Sequence, residues 1–316
     1  VKIVVTGAAG YIGGETALKL LDAGHTVLGI DQRLPPVHLR PYDITWLTGD
    51  FAGEVALDTI KQFEPDAVIH CAGTSLVGPS ITNPRLYYEN NFVKTKRLVD
   101  YLVDKKIKAR FIFSSSAATY GEPATVPCTE SDPTIPISPY GESKLMIDWM
   151  LASYADAYEF DYVSFRYFNA CGADSQARHG QEPGATHIIA RVLEALKSQS
   201  GKFVLNGYDY PTEDGTCIRD YIHVEDLAEA HILAVDRYIP SGVYNLGTNT
   251  GHSNLKIIQT CILISKKGLE YNIGPMREGD PAVLTASADK FMTASGWKPK
   301  YNLTDIVNHA WTWYNQ

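Results

Sequence analysis

A short β-branched run, Ile3-Val4-Val5, leads into Thr6-Gly7-Ala8-Ala9-Gly10-Tyr11-Ile12-Gly13 and then into an amphipathic stretch over residues 13–21. No other feature restricts the fold as strongly as this strand, glycine turn and helix. Glycines let the backbone turn tightly and approach a pyrophosphate, which then rests on the positive end of the helix. The spacing G-x-x-G-x-x-G is weak evidence alone and gains weight from the flanking strand and helix. A second strand pattern, Val27-Leu28-Gly29-Ile30, closes on Asp31. A carboxylate there accepts hydrogen bonds from an adenosine ribose and repels a 2′-phosphate, so NAD is expected over NADP. Gly7, Gly10, Tyr11, Ile12, Gly13 and Asp31 form this end of the expected cofactor site. Arg33 is the one dissenting signal and reads as a solvated loop residue. Asp50 and Phe51, after the third strand, are placed to meet the adenine ring.

Short strand patterns at 3–6, 26–30, 46–48, 67–70, 110–114 and 163–167 alternate with helical patterns at 13–21, 54–63, 87–103 and 141–158. Such alternation predicts an α/β fold, a doubly wound parallel Rossmann sheet with helices on both faces. Beyond about residue 169 the elements shorten, punctuated by Pro183, Gly184, Gly201, Gly207, Pro211 and Gly215. We therefore expect a cofactor-binding domain over 1–168, with 216–247 returning to it. A smaller, loop-rich α/β substrate lobe is expected over 169–215 and 248–316. A chain of 316 residues has room for both.

The formal charge of −8 argues against a nucleic-acid or anionic-membrane surface, so an anionic substrate needs local Arg or Lys groups. No apolar run reaches the roughly 18–20 residues of a membrane span. The chain opens directly on a strand, so no leader peptide is expected. The five cysteines are scattered without C-x-x-C spacing, as expected of reduced thiols in a cytoplasmic protein without a metal site.

Tyr140 and Lys144 stand four apart in Ser138-Pro139-Tyr140-Gly141-Glu142-Ser143-Lys144, and so share one helix face. A cation beside a phenol favours the phenolate, a usable general base. Moving a phenol from its usual value to about 7 requires roughly 4 kcal/mol of differential stabilisation. A lone Tyr-x-x-x-Lys is common on solvated helix faces; the nucleotide motif upstream is what gives this pair its meaning.

With these pieces in place the chain resembles the extended short-chain dehydrogenase/reductase superfamily, and within it the UDP-galactose (UDP-glucose) 4-epimerases. The likeness runs from Thr6 to beyond Lys290. Its most specific parts are Phe113-Ser114-Ser115-Ser116-Ala117-Ala118-Thr119-Tyr120-Gly121, Arg166-Tyr167-Phe168-Asn169, and the run from Asp209-Tyr210-Pro211-Thr212-Glu213-Asp214 through Arg219-Asp220-Tyr221-Ile222-His223. The resemblance implies catalytic roles for Ser116, Tyr140 and Lys144, with tightly bound NAD and a UDP-sugar substrate. It places Cys71, Ala72, Gly73, Asn90, Ser114 and Tyr167 against the cofactor. Asn169, His187, Ile188, Asn206, Arg219, Arg277, Asp280 and Leu284 fall at the nucleotide sugar, together with Ser116 and Tyr140. His70, Tyr221 and His223 read as packing residues. Ser75 stands where some relatives carry Lys, and Asn206 where an aromatic is often seen.

Three readings compete. A nucleotide-sugar 4,6-dehydratase needs an acid immediately after the catalytic serine, where this chain has Ala117 and Ala118. A silent NAD-binding scaffold would be expected to lose Tyr140 or Lys144. A 4-epimerase needs only what is present. Leu284, at the position resembling the sugar-pocket gate, is intermediate in volume, so UDP-N-acetylhexosamines, UDP-pentoses and UDP-uronates stay open beside UDP-galactose and UDP-glucose. The helical stretches 87–103 and 141–158 resemble a four-helix dimer interface, implying a homodimer. Phe92, Leu98, Leu102, Met146, Trp149 and Met150 serve equally as interface or as core.

Overall fold

The computed structural model describes residues 1–198, 202–235, 238–276 and 280–316. Its strands, in chain order, are β1 (Lys2–Thr6), β2 (Thr26–Asp31), β3 (Ile44–Thr48), β4 (Ala67–His70), β5 (Arg110–Ser116), β6 (Tyr162–Tyr167), β7 (Asn169–Cys171), β8 (Lys202–Asn206), β9 (Ile218–His223), β10 (Gly242–Leu246), β11 (Gly251–Ser253), β12 (Glu270–Gly274) and β13 (Val283–Leu284). The helices are α1 (Tyr11–Asp22), α2 (Glu54–Phe63), α3 (Val77–Thr82), α4 (Pro84–Tyr87), α5 (Lys94–Asp104), α6 (Pro139–Tyr158), α7 (Ile188–Lys197), α8 (Val224–Val235), α9 (Asn254–Ser265), α10 (Asp289–Ser295) and α11 (Leu303–Tyr314). Among these, no helix is long and apolar enough to cross a membrane.

Val4 faces one core, with Val68, Phe111 and Phe113, while Ile3 and Val5 face another, with Ile69, Ile112 and Phe165. A strand buried on both faces belongs inside a parallel sheet covered by helices on each side. Seven parallel strands follow the order β10-β6-β5-β4-β1-β2-β3 among the described residues. The order reverses between β1 and β4, and the crevice at such a reversal is where ligands bind in sheets of this kind.

A second, four-stranded sheet is built on β9, flanked by β11 and β13 and paired with β7. A third core joins α7, α9 and α11, with Leu193, Ile257, Ile258 and Val307 fully buried. The chain returns to the large sheet later than residue 216. Residues 218–223 stay with the small sheet as β9, and α8 and β10 make the return.

The helix expected over 87–103 is interrupted. A π-helical turn, Tyr88–Val93, joins α4 to α5 and carries Asn91 into the interior. Asn91 there accepts the Thr74 N–H at 2.7 Å and donates to the Ser143 hydroxyl at 2.9 Å. These bonds fasten the loop after β4 to α6. Leu98, Leu102 and Met150 are buried core residues, whereas Trp149 is 59% exposed on the outer face of α6.

One buried charge cluster ties α1 to the segments that pack on it. Glu15 is fully buried, and neither carboxyl oxygen has a hydrogen-bond partner. The Lys19 ammonium lies 3.9 Å from Glu15 but 2.8 Å from Glu225 and 3.3 Å from Asp174. Burial, followed by the neighbouring Asp174 charge, pushes the Glu15 carboxyl well above its usual range. The folded state therefore holds a proton here that the unfolded state releases. Stability contributed by neutral Glu15 is lost as pH rises through the raised value. Glu15→Gln should accordingly raise the melting temperature at pH 8 by more than it does at pH 5. Thermal scans at the two pH values check this, and equal shifts would contradict it.

Candidate active site

The glycine turn closes against the end of β4. Gly7 has φ of +72°, and a side chain there would place its Cβ 2.7 Å from the Ala72 nitrogen. A Cβ at Gly13 would lie 2.2 Å from the Gly7 carbonyl oxygen. Only glycine permits this approach of backbone to backbone. No side chain caps the N-terminus of α1 at Gly10, and its first turn carries no acidic residue. Main-chain amides and a positive helix end are thus available to an anion.

Asp31 is held at the edge of this turn, accepting the Ala9 N–H at 3.0 Å and the Arg33 N–H at 2.9 Å. Arg33 is not simply solvated. Its guanidinium donates to the Ala9 carbonyl and lies 3.3 Å from the Glu182 carboxylate, because the turn leaves that carbonyl facing outward. The Asp50 carboxylate pairs with Lys94 at 2.7 Å. Phe51 departs from its expected place beside an adenine. Its ring is 6% exposed and packs edge-on against His70 at 4.8 Å. The Tyr11 hydroxyl donates to the Gly172 carbonyl at 2.8 Å, and Ile12 packs on the core.

His70 is a packing residue. Its ring nitrogens contact the Thr6 and Thr95 hydroxyls at 2.6 and 2.7 Å, and burial lowers its pKa to about 3. Gly73 has φ of +155° and passes close to Asn91 and Lys144. Asn90 donates to the Thr74 hydroxyl at 3.2 Å, whereas its neighbour Asn91 makes the buried bonds.

At the end of β5 three consecutive serines divide their work by the two-residue period of a strand. The Ser114 hydroxyl meets the Cys71 sulfur at 3.2 Å and the Tyr167 hydroxyl at 2.9 Å, and the Ser114 carbonyl accepts from Lys144 Nζ at 2.7 Å. Ser115 points to the opposite face and donates to Asp148 of α6 at 3.2 Å. The Ser116 oxygen accepts the Ala118 N–H at 3.1 Å, which caps a short helical turn and fixes the hydroxyl.

Ser138 caps α6 by accepting the Gly141 N–H at 3.2 Å, with Pro139 in the first turn, so the helix begins with Tyr140 already oriented. Lys144 Nζ lies 4.8 Å from the Phe113 ring centre and 5.9 Å from that of Tyr140. Tyr87 meets Tyr140 edge-on at 6.4 Å. Burial lowers the Lys144 pKa to about 8. Burial also raises the Tyr140 phenol, against a downward pull from hydrogen bonding with Ser116. In the protein alone, desolvation outweighs the Ser116 hydrogen bond and holds the Tyr140 phenol above its usual value.

On the facing side, Arg219 Nη2 lies 3.3 Å from the Asp280 carboxylate. Leu284 is paired in register with Arg219 and packs on the group formed by Ala117, Tyr120 and Phe168. The structure therefore brings Arg219, Asp280 and Leu284 together beside the Ser116 turn. Asn169 opens β7 opposite Tyr221, immediately after β6. His187 and Ile188 begin α7, and Asn206 ends β8. Arg277 lies outside the described residues. His223 pairs with His309 at 3.0 Å and Tyr221 donates to Asn254 at 3.0 Å, both in packing roles.

A family model described as the NAD dependent epimerase/dehydratase family matches residues 3–247. The chain belongs to this family. The UDP-glucose 4-epimerase of Halalkalibacterium halodurans is 45% identical, over 99% of this chain and 96% of that relative. The structure of UDP-glucose 4-epimerase from Bifidobacterium longum in complex with NAD+ and UDP matches with a TM-score of 0.93 at 33% identity, covering 100% of this chain and 98% of that one. The Stenotrophomonas maltophila UDP-glucose 4-epimerase, with bound NAD and formylated UDP-arabinopyranose, matches with a TM-score of 0.94 at 32% identity, covering 99% and 98%. These findings meet the resemblance drawn from the motifs and the doubly wound sheet expected from the alternation. The uncapped end of α1, the side-chain-free glycine turn and the anchored Asp31 carboxylate fit the NAD of an NAD-dependent family.

Two features of the site were not singled out from the sequence. Asn91 was hidden by its neighbour Asn90, and Asp148 carried its signal only in standing four residues after Lys144.

Proposed function

We propose that this chain interconverts UDP-galactose and UDP-glucose by oxidation and re-reduction at carbon 4 of the sugar. The observation that carries this reading is the convergence of Ser116, Tyr140 and Lys144 beside the glycine turn, with Ala117 and Ala118 where an eliminating enzyme needs an acid. NAD, when bound, supplies the hydride acceptor and donor together with the positive charge that favours a Tyr140 phenolate.

Tyr140 takes the proton from the 4-hydroxyl and returns it after the 4-keto sugar has turned its other face. Ser116 has its oxygen engaged by the Ala118 N–H and hydrogen-bonds the Tyr140 phenol, so it stands between the base and the sugar oxygen and relays the proton. Lys144 orients the cofactor ribose and holds positive charge beneath the phenol. Arg219 and Arg277 bind phosphate oxygens, for which a planar guanidinium is suited, and Asp280 takes the ribose hydroxyls. The Arg219–Asp280 contact is consistent with two groups that part to admit a nucleotide.

Residues 1–168 with α8 and β10 serve the cofactor, and the small lobe serves the nucleotide sugar. The free cysteines agree with a cytoplasmic protein. Trp149, Leu86 and Val93 are exposed on α6, on α4 and at the end of the π turn, and support a homodimer through this face. Sedimentation as a stable monomer would refute the dimer.

Tyr140→Phe should retain NAD and lose activity by about 10²- to 10⁴-fold, the usual worth of a general acid–base group. NAD content and turnover on UDP-galactose check this; near-normal turnover would contradict the assigned role. Plain hexoses rank first because the similar curated proteins are UDP-glucose 4-epimerases, while Leu284, intermediate in volume, does not decide between them and N-acetylhexosamines. A rate on UDP-N-acetylgalactosamine well above that on UDP-galactose would reverse the ranking.

A further inference from the structure

We propose that Asp148 is a positioning residue for the Tyr140–Lys144 pair, fastening α6 to the ends of β5 and β6 and placing a fixed negative charge one helical turn from Lys144. The inference deepens the proposed function and rests on it for the roles of Tyr140 and Lys144.

Asp148 is 3% exposed and stands four residues after Lys144, on the same face of α6. Its two carboxylate oxygens are engaged by groups from both strands beneath the helix. Oδ1 accepts from the Ser164 hydroxyl of β6. Oδ2 accepts from Ser115 of β5 at 3.2 Å and from Arg166 Nε of β6 at 3.1 Å. Ser115 and Arg166 are also cross-strand partners in the β5–β6 register. The Arg166 guanidinium stacks over Tyr120 at 4.8 Å, and the Tyr120 hydroxyl donates to Asn245 of β10 at 2.7 Å. The carboxylate therefore fixes the height and rotation of α6 over the neighbouring serines of β5, one of which holds Lys144 through its carbonyl.

The charge acts on the same residue. Lys144 is buried, and desolvation brings its pKa down to about 8, while Cys71 and Asp148 pull the other way. The groups around this pair are His70 and Cys71 at the end of β4, Tyr140 on α6, and Arg166 and Tyr162 on β6. The Asp148 carboxyl is raised by burial and lowered by Arg166 and its hydroxyl donors. With the carboxylate removed, the ammonium loses a stabilising charge and its proton leaves at lower pH.

The test is the pH dependence of NAD affinity, with thermal unfolding measured alongside, in the whole protein. Wild type should lose affinity as Lys144 deprotonates near pH 8, and Lys144→Met should abolish that limb. Asp148→Asn should move its midpoint down by roughly one pH unit, and Asp148→Glu, which keeps the charge, should restore it. Asp148→Asn leaves Arg166 buried without its counter-ion and risks unfolding, so it is paired with Arg166→Met, which removes the opposing cation, keeps the Asp148 carboxylate and should move the midpoint up instead. A midpoint unchanged in these variants, with only the melting temperature lowered, would overturn the proposal and leave a structural ion pair. NAD binding is read without turnover. A wild type that binds NAD with this profile yet does not epimerise would refute the proposed function and not the role of Asp148.

Discussion

Everything at the site depends on how β5 ends. A strand sends alternate side chains to opposite faces, so Ser114 and Ser116 share one face and Ser115 takes the other. Ser114 goes to Tyr167 and Cys71, Ser115 to Asp148, and Ser116 to the Ala118 N–H and Tyr140. The Ser114 main chain meanwhile holds the Lys144 ammonium. Slipping this strand by one residue would exchange the faces and dismantle the constellation. The register against β6, with Ser115 opposite Arg166, guards against that slip by joining a buried ion pair to it.

The second constraint is the close approach of the glycine turn to the end of β4. It sets the width of the crevice at which the strand order reverses, and it leaves the first amides of α1 uncapped. A chain of net charge −8 thus offers local positive potential to an anion through the peptide dipoles of α1. The same burial that orders the site works against its chemistry. It raises the Tyr140 phenol and lowers the Lys144 ammonium, and under the proposed function the positive charge of bound NAD offsets this.

The local signals in the sequence were the strong ones. The glycine turn, Asp31, the strand alternation and the Tyr140–Lys144 spacing each depend on residues near one another in the chain, and the parallel sheet follows from them. What the sequence left unread depends on distant partners. The Phe51 ring packs on His70, nineteen positions later, a contact that its place after the third strand does not announce. Arg33 is held by the Ala9 carbonyl and by Glu182, a residue of the other half of the chain. The π turn at 88–93 leaves no signature in periodicity, since one residue of added width is invisible until Asn91 meets Thr74 and Ser143. The assignment of 218–223 to the small sheet likewise comes from pairing with β7, β11 and β13.

The central claim is that hydrogen leaves and returns at one sugar carbon without exchanging with water. UDP-galactose carrying deuterium at carbon 4 tests this directly, with the product followed by NMR in ordinary water. The account predicts UDP-glucose that keeps the deuterium at carbon 4 and takes up no solvent hydrogen there. Loss of the label to solvent would contradict it, because the hydrogen would then have moved as an exchangeable proton.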